Sequence, residues 1–277
     1  MSNRSFSDSS RSPIIGINCS LIRAFAGAPA CFSVLQGYPQ CVTQMGGIPV
    51  VVPPSDSQET LTEVLDVCDA FIFTGGPDLD PRNDGFALHR SVRLMDKFRE
   101  RSDRFLMEQI AARRMPVLAI GVGMQLLNVS QGGTLSLHIP DDFPQALPHR
   151  AKGGDAQVIR HGVVLEPVDS LLYNVYGGAG TEKRENFHSV TSMHHMAVDD
   201  VAPDFMVTAR SAGDNIIEAI ESRDEDWFAV GVQFHPEHPA ATEIDRLVFR
   251  EFIDGVRDFY ATGKNPFASG LKRCERV

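Results

Sequence analysis

Apolar runs and amphipathic stretches alternate through the first half of the chain. Residues 13–17 form a short β-branched run that predicts a first strand. After an irregular stretch, residues 39–45 predict a helix with Pro39 in its first turn and Gly46-Gly47 as its stop. Residues 48–52 predict a second strand ending at Pro53-Pro54. Leu61, Val64, Leu65 and Cys68 share one face of a helix over 60–68, and the apolar strand 69–74 breaks at Gly75-Gly76-Pro77. An exposed loop is expected over 78–94. A helix over 96–114 then places Phe98, Phe105, Leu106 and Ile110 on one face. The run 116–120 stops at Gly121-Val-Gly123 and resumes at once with helix-compatible residues. That pattern predicts a buried parallel strand, a sharp turn and a helix packed back on the sheet.

The second half reads differently. Short strands are expected over 156–165, 189–192, 205–212, 216–221 and 227–234, with few helices between them. A closing helix over 242–260 carries Leu247, Val248, Phe252, Val256 and Phe259. Strand–helix alternation followed by a run of strands predicts an α/β fold. Its expected form is a central, mostly parallel sheet with helices on both faces plus a smaller antiparallel sheet. No repeat or low-complexity linker separates the halves. The expected organisation is a disordered tail over 1–12, one domain over 13–261 and a C-terminal tail over 262–277.

Composition narrows the function classes. A formal charge of −10 argues against a general binder of nucleic acid or anionic membranes. The five cysteines (Cys19, Cys31, Cys41, Cys68, Cys274) form no C-x-x-C pair, which fits reduced thiols in a cytoplasmic protein. Residues 1–12 lack the apolar centre of a secretory signal, and no apolar run approaches the roughly 20 residues that span a bilayer.

Candidate chemistry falls at three predicted strand ends, where open parallel sheets place their sites. These are Thr74-Gly75-Gly76 with Asp78 and Asp80, the Gly121 turn, and Gln233-Phe-His235-Pro-Glu237. A His two residues before a Glu is either a general base with its orienting carboxylate or an incidental surface pair. A strand-turn-helix elbow is where α/β hydrolases hold a nucleophile, yet Gly121, Val122 and Gly123 offer no reactive side chain.

Several longer motifs occur in order: Met45-Gly-Gly-Ile-Pro-Val50, Phe73-Thr-Gly-Gly-Pro-Asp-Leu-Asp-Pro81, Gly123-Met-Gln-Leu-Leu-Asn-Val-Ser-Gln-Gly-Gly-Thr134, Ser192-Met-His-His195 and Gly231-Val-Gln-Phe-His-Pro-Glu237. Through them residues 13–260 resemble the class I glutamine amidotransferase-like superfamily, most of all its gamma-glutamyl-gamma-aminobutyrate hydrolase branch. The resemblance implies a flavodoxin-like fold, no cofactor, and a cysteine nucleophile that attacks a gamma-glutamyl amide. It further implies that His235 and Glu237 are base and orienter, and that the backbone of Gly76 and Val122 forms the oxyanion hole. Gly75, Gly76, Val122, Gln125, Ser192, His194 and His195 are the implied substrate contacts. Gly121 stands where the family has its cysteine, Val122 where it has arginine, Thr191 where it has asparagine and Met196 where it has glutamine.

Other chemistries compete with this one. Cys19, just past the first strand, is a packing residue or a relocated nucleophile. Ser130 lies more than two helical turns beyond Gly121. His188, His194, His195, His235 and His238 lack a metal-ligand spacing, so no metal is expected. The Gly-x-Gly turn lacks the third glycine of a dinucleotide site. The expectation is a pseudoenzyme of the family that lacks thiol-dependent amide hydrolysis and binds a ligand or partner. The alternative is an active hydrolase using His235/Glu237 with water or a relocated nucleophile. Expected partners are a small gamma-glutamyl-like ligand and a second copy in a homodimer, with no nucleic acid and no membrane. Loops 78–94 and 140–155 are candidates to cover the pocket.

Overall fold

Each β-branched run becomes a strand whose alternate side chains feed two separate cores. The computed structural model describes residues 11–24, 28–152, 158–177 and 187–268. Its main sheet contains β1 (Ile14–Asn18), β2 (Ile48–Val52), β3 (Ala70–Phe73), β4 (Val117–Ile120), β5 (Ile159–Leu165), β6 (Phe187–Ser192), β7 (Phe205–Ser211), β8 (Ile217–Ser222) and β9 (Ala229–Val232). The order across the sheet is β2-β1-β3-β4-β9-β8-β7-β5-β6. The pairings from β2 to β9 are parallel, and those from β9 outward are antiparallel. The antiparallel half therefore continues the parallel sheet. Two small antiparallel pairs stand apart, Ser20–Ile22 with Cys31–Ser33 and Leu135–Ser136 with Ala197–Val198.

The helices are α1 (Gly37–Gln44), α2 (Gln58–Val67), α3 (Lys97–Arg113), α4 (Val122–Ser130), α5 (Ile139–Asp142), α6 (Leu171–Gly177) and α7 (Glu243–Thr262). Ile72, Leu118 and Ile120 point into one core with Val42 of α1, Leu171 of α6 and Phe252 of α7. Phe71, Phe73, Val117 and Ala119 point the other way, into a core with Leu65 of α2, Leu106 of α3 and Leu127 of α4. The two-residue period of a strand thus builds a three-layer sandwich. Caps fix the helix starts. Ser57 and Asp96 accept from backbone N–H groups at the starts of α2 and α3, and Thr242 and Asp245 form a capping box on α7.

Several expectations shift. The first helix begins at Gly37 rather than residue 39. The irregular stretch after β1 holds a hairpin whose second strand, Cys31–Ser33, is largely exposed and so shows no apolar alternation. Helix α6 is not legible in the sequence, because its seven residues are too few to establish a helical period. The loop 78–94 contains a short 3₁₀ turn, Pro81–Asp84, and an isolated bridge between Asp78 and Leu94. Residues 1–10 and 269–277 of the expected tails, residues 156 and 157 of the expected strand, residues 153–155 of the candidate cover and Cys274 lie outside the described residues.

Candidate active site

Strands β1, β3, β4 and β9 lie side by side, and their carboxyl ends carry Asn18, Thr74-Gly75-Gly76, Gly121 and Gln233-Phe234-His235. Each candidate motif thus leaves the same edge of the sheet. A cavity of about 570 Å³ opens there. Among its lining residues are Gly75, Gly76, Gly121, Val122, Gln125, His194, His195, Met196, His235 and Glu237.

The elbow strains any residue but glycine. Gly121 has φ 59° and ψ −118°, a conformation that side chains rarely adopt, and its N–H donates to the carbonyl of Val232 at 2.8 Å. A Cβ built on Gly121 would lie 3.1 Å from Cε1 and 3.3 Å from Nε2 of His235. Gly123 lets α4 approach β3, since a Cβ there would meet Phe73 at 2.8 Å.

His235 Nδ1 lies 2.8 Å from Oε1 of Glu237, whose side chain is fully buried. That contact fixes the ring so that Nε2 faces the elbow. Burial works against charge on the imidazole, but the adjacent Glu237 carboxylate outweighs it and the pKa of His235 is raised. Among the described residues, no hydroxyl or thiol is hydrogen-bonded to this ring.

The Gly-Gly loop is held from below by a group that the sequence pattern does not announce. Arg99 of α3 is buried. Its guanidinium donates to the carbonyls of Thr74 and Gly75 and to Thr74 Oγ1, each at 3.1 Å, and to Ser20 Oγ at 2.6 Å. Asp103, one turn on, accepts from Arg99 Nε at 3.0 Å and from Asn18 Nδ2 at 2.8 Å, while Asn18 Oδ1 accepts from Thr74 N. Tyr38 of α1 completes the cradle by accepting from Gly75 N at 2.8 Å. The available signal is an Arg and an Asp four residues apart, set among the apolar positions of a helix whose phenylalanines dominate its pattern.

The remaining candidates divide. His195 lines the cavity with its Nε2 3.0 Å from Asp78 Oδ2. Gln125 donates to Gln233 Oε1 at 3.1 Å and, more weakly, to the carbonyl of Met196, so its amide braces the cavity wall. Ser192 is not among the lining residues, and its hydroxyl donates to the carbonyl of His149. Thr191 is also outside the lining, with Oγ1 accepting from Arg160. Asp80 caps the 3₁₀ turn and pairs with Arg82. Cys19 is buried; desolvation pushes its thiol upward, a pull by Arg99 notwithstanding, so it is not a ready thiolate. Ser130 Oγ donates to Leu127 O. His188 packs against Tyr176, and His238 lines the cavity. Arg93 and Arg150 add basic groups to the wall. A second histidine group, beside the cavity and including His194, has the donor set of a metal site.

Comparison with known proteins shows the family. The peptidase C26 family model matches residues 13–237. The chain is 33% identical to protein NtpR of Enterococcus hirae over 246 residues, which span 87% of this chain and 98% of the relative. It is 31% identical to a glutamine amidotransferase candidate from Mycobacterium tuberculosis, over 89% of this chain and 76% of that one. It is 26% identical to the gamma-glutamyl-gamma-aminobutyrate hydrolase PuuD of Escherichia coli K12, over 90% and 95% of the two chains. A crystal structure of a candidate GMP synthase component from Thermoplasma acidophilum superposes with a TM-score of 0.58 at 18% identity. It covers 91% of this chain and 96% of that one, and it supports the flavodoxin-like amidotransferase fold alone. Among the described residues, no helix is long and apolar enough to cross a membrane.

Proposed function

The chain belongs to the peptidase C26 family, within the class I glutamine amidotransferase-like superfamily, and we propose that it has given up thiol-dependent amide hydrolysis to act as a ligand-binding pseudoenzyme. One observation carries this reading: the backbone position that faces His235 Nε2 is Gly121. Covalent amide hydrolysis begins with a nucleophile whose proton the histidine takes. Glycine has no atom to attack with. Loss of a triad member lowers the rate by on the order of a millionfold, and the rate that remains comes from binding and oxyanion stabilisation.

The ligand we propose is a small gamma-glutamyl-like carboxylate. The cavity lies within the range of about 300–1,000 Å³ usual for small-molecule sites. Its wall includes Arg93 and Arg150, and it also includes Gly76 and Val122, to whose backbone amides the family resemblance assigns the oxyanion cradle. Val122 and Met196 make part of the wall apolar where the family has arginine and glutamine. A selectivity different from that of gamma-glutamyl hydrolases follows.

A second reading, hydrolysis by water activated at His235, is favoured by the retained His235–Glu237 pair. One experiment separates the two. Purified protein is assayed for release of amine from gamma-glutamyl amides beside a His235→Ala variant. The expected result is no His235-dependent turnover, together with ligand-induced thermal stabilisation in both proteins. Enzyme-like turnover abolished by His235→Ala establishes the water mechanism instead.

A further inference from the structure

Beside the elbow, four side chains from different parts of the sheet converge where the sequence gives no local spacing. His149 follows α5, His161 sits on β5, His194 follows β6 and Glu218 sits on β8. None is more than 7% exposed, and one donor atom from each lies within 4.8 Å of all the others. Glu218 Oε1 is 3.2 Å from His149 Nδ1, 3.3 Å from His161 Nε2 and 3.3 Å from His194 Nε2, and His149 Nδ1 is 3.1 Å from His194 Nε2.

The outward ring nitrogens are already committed. His149 Nε2 meets Asp214 Oδ2 at 2.9 Å, His194 Nδ1 meets the carbonyl of Met196 at 2.9 Å, and His161 Nδ1 meets the carbonyl of Gly162 at 3.2 Å. Each of these partners is an acceptor, so each outward nitrogen carries the hydrogen and each inward one presents a lone pair. Three imidazole lone pairs and a carboxylate thus face one another without solvent. Both oxygens of Glu218 and Nε2 of His161 lack a hydrogen-bond partner, although the nitrogens stand close by. A proton on His149 Nδ1 can be shared between His194 Nε2 and Glu218 Oε1, yet it leaves His161 Nε2 and Glu218 Oε2 without a partner. A cation at the centre answers all four at once.

We propose that His149, His161, His194 and Glu218 form a buried structural site for one divalent transition-metal ion, with Zn²⁺ the best match. Tetrahedral zinc with nitrogen and oxygen ligands at roughly 2.0–2.1 Å sets its ligand atoms about 3.3 Å apart, which is the spacing of the closest contacts here. The donor set, three imidazoles and a carboxylate without thiolate, suits Zn²⁺ and excludes a preference for Cu⁺ or for the hard ions Mg²⁺ and Ca²⁺. Asp214 behind His149, and the carbonyls behind the other rings, are the outer partners that orient metal-bound histidines. Four protein ligands close the coordination sphere, so the ion pins structure instead of activating water. It fastens the loop bearing His149 and Arg150 to the sheet, and through His194 it sets the position of His195 and Met196 in the cavity wall.

The test uses the full chain, freed of metal by chelation and then exposed to Co²⁺ or Zn²⁺. Wild type is expected to bind about one equivalent of Zn²⁺. It is also expected to show the intense visible bands of tetrahedral Co²⁺ and to melt at a higher temperature with either ion. Glu218→Gln and His161→Ala should abolish the Co²⁺ bands, and Asp214→Asn should weaken binding by about 10–100-fold. His235→Ala should leave uptake unchanged, which locates the ion away from the elbow. A wild-type protein that takes up no Zn²⁺ and stays colourless with Co²⁺ overturns the site whatever the variants do. Uptake retained in a folded His161→Ala but lost in His235→Ala overturns it equally.

Discussion

Arg99 lies so close beneath Gly76 that a methyl group on the glycine would meet its Nη1 at 2.4 Å. The guanidinium is itself fixed by Ser20, Thr74, Gly75 and Asp103, so it cannot swing aside at small cost. Arg99→Met should therefore destabilise the fold by about 3–5 kcal/mol, because Asp103 is left buried without its cation. Arg99→Lys should recover little, since one ammonium cannot span the same acceptors. Urea denaturation of the three proteins checks this, and a loss below about 1 kcal/mol would show that the clamp is dispensable.

The elbow gives a prediction of opposite character at each of two substitutions. Gly121→Ala should cost about 1–3 kcal/mol through its positive φ alone. Gly121→Cys should meet the same strain and place a thiol beside His235. Little or no gamma-glutamyl hydrolysis should return, because Val122 and Met196 line the cavity where the family resemblance implies arginine and glutamine. Steady-state assay of the variant on gamma-glutamyl amides decides it, and recovery to enzyme-like rates would show that only the nucleophile had been lost.

Glu237 controls the charge on His235. The folded pKa of this imidazole lies above its usual value, so the stability it contributes is fully present below the unfolded pKa of about 6.5 and is lost as pH rises through the folded value. In Glu237→Gln the opposing effect of burial remains, and the His235 pKa should fall below that of a free imidazole. Nitrogen chemical shifts of the ring across a pH titration report this directly. The stability gap between the two proteins should be widest in the mildly acidic range and should narrow toward alkaline pH.

Glu221 on β8 behaves in the other sense. It is buried, accepts from Leu171 N at the start of α6 at 3.0 Å, and desolvation raises its carboxyl from 4.5 to about 7. The folded state then holds a proton that the unfolded state has released, so stability falls as pH rises between those values, by at most ~3 kcal/mol. Glu221→Gln should flatten that slope and exceed wild type in stability at mildly alkaline pH, as read from melting temperatures. An unchanged slope would place the proton elsewhere.

The sequence disclosed what depends on local pattern. The strands leading into Gly75-Gly76 and Gly121, the elbow itself and the His235-x-Glu237 pair all follow from runs of a few residues, and they converge on one sheet edge because parallel strands share a direction. It concealed what depends on assembly. Arg99 and Asp103 look like the polar side of an ordinary helix until β1 and β3 are seen above them. Ser192 and Thr191 belong to a motif that implies ligand contact, yet their hydroxyls turn to His149 and Arg160. The cluster at Glu218 draws its members from four separated stretches, and no window along the chain contains two of its histidines at a ligand spacing.

Glycine at the elbow also frees the site from the redox state of its surroundings. A cysteine nucleophile is active only as a thiolate, and the same thiolate is what peroxide and alkylating agents consume. Here burial lifts the thiols of Cys41 and Cys68 to about 11, and Cys19 is raised as well. Oxidation at the exposed Cys31 would leave the position facing His235 untouched. On the proposed reading, binding in this cavity would survive oxidising stress that silences a thiolate nucleophile.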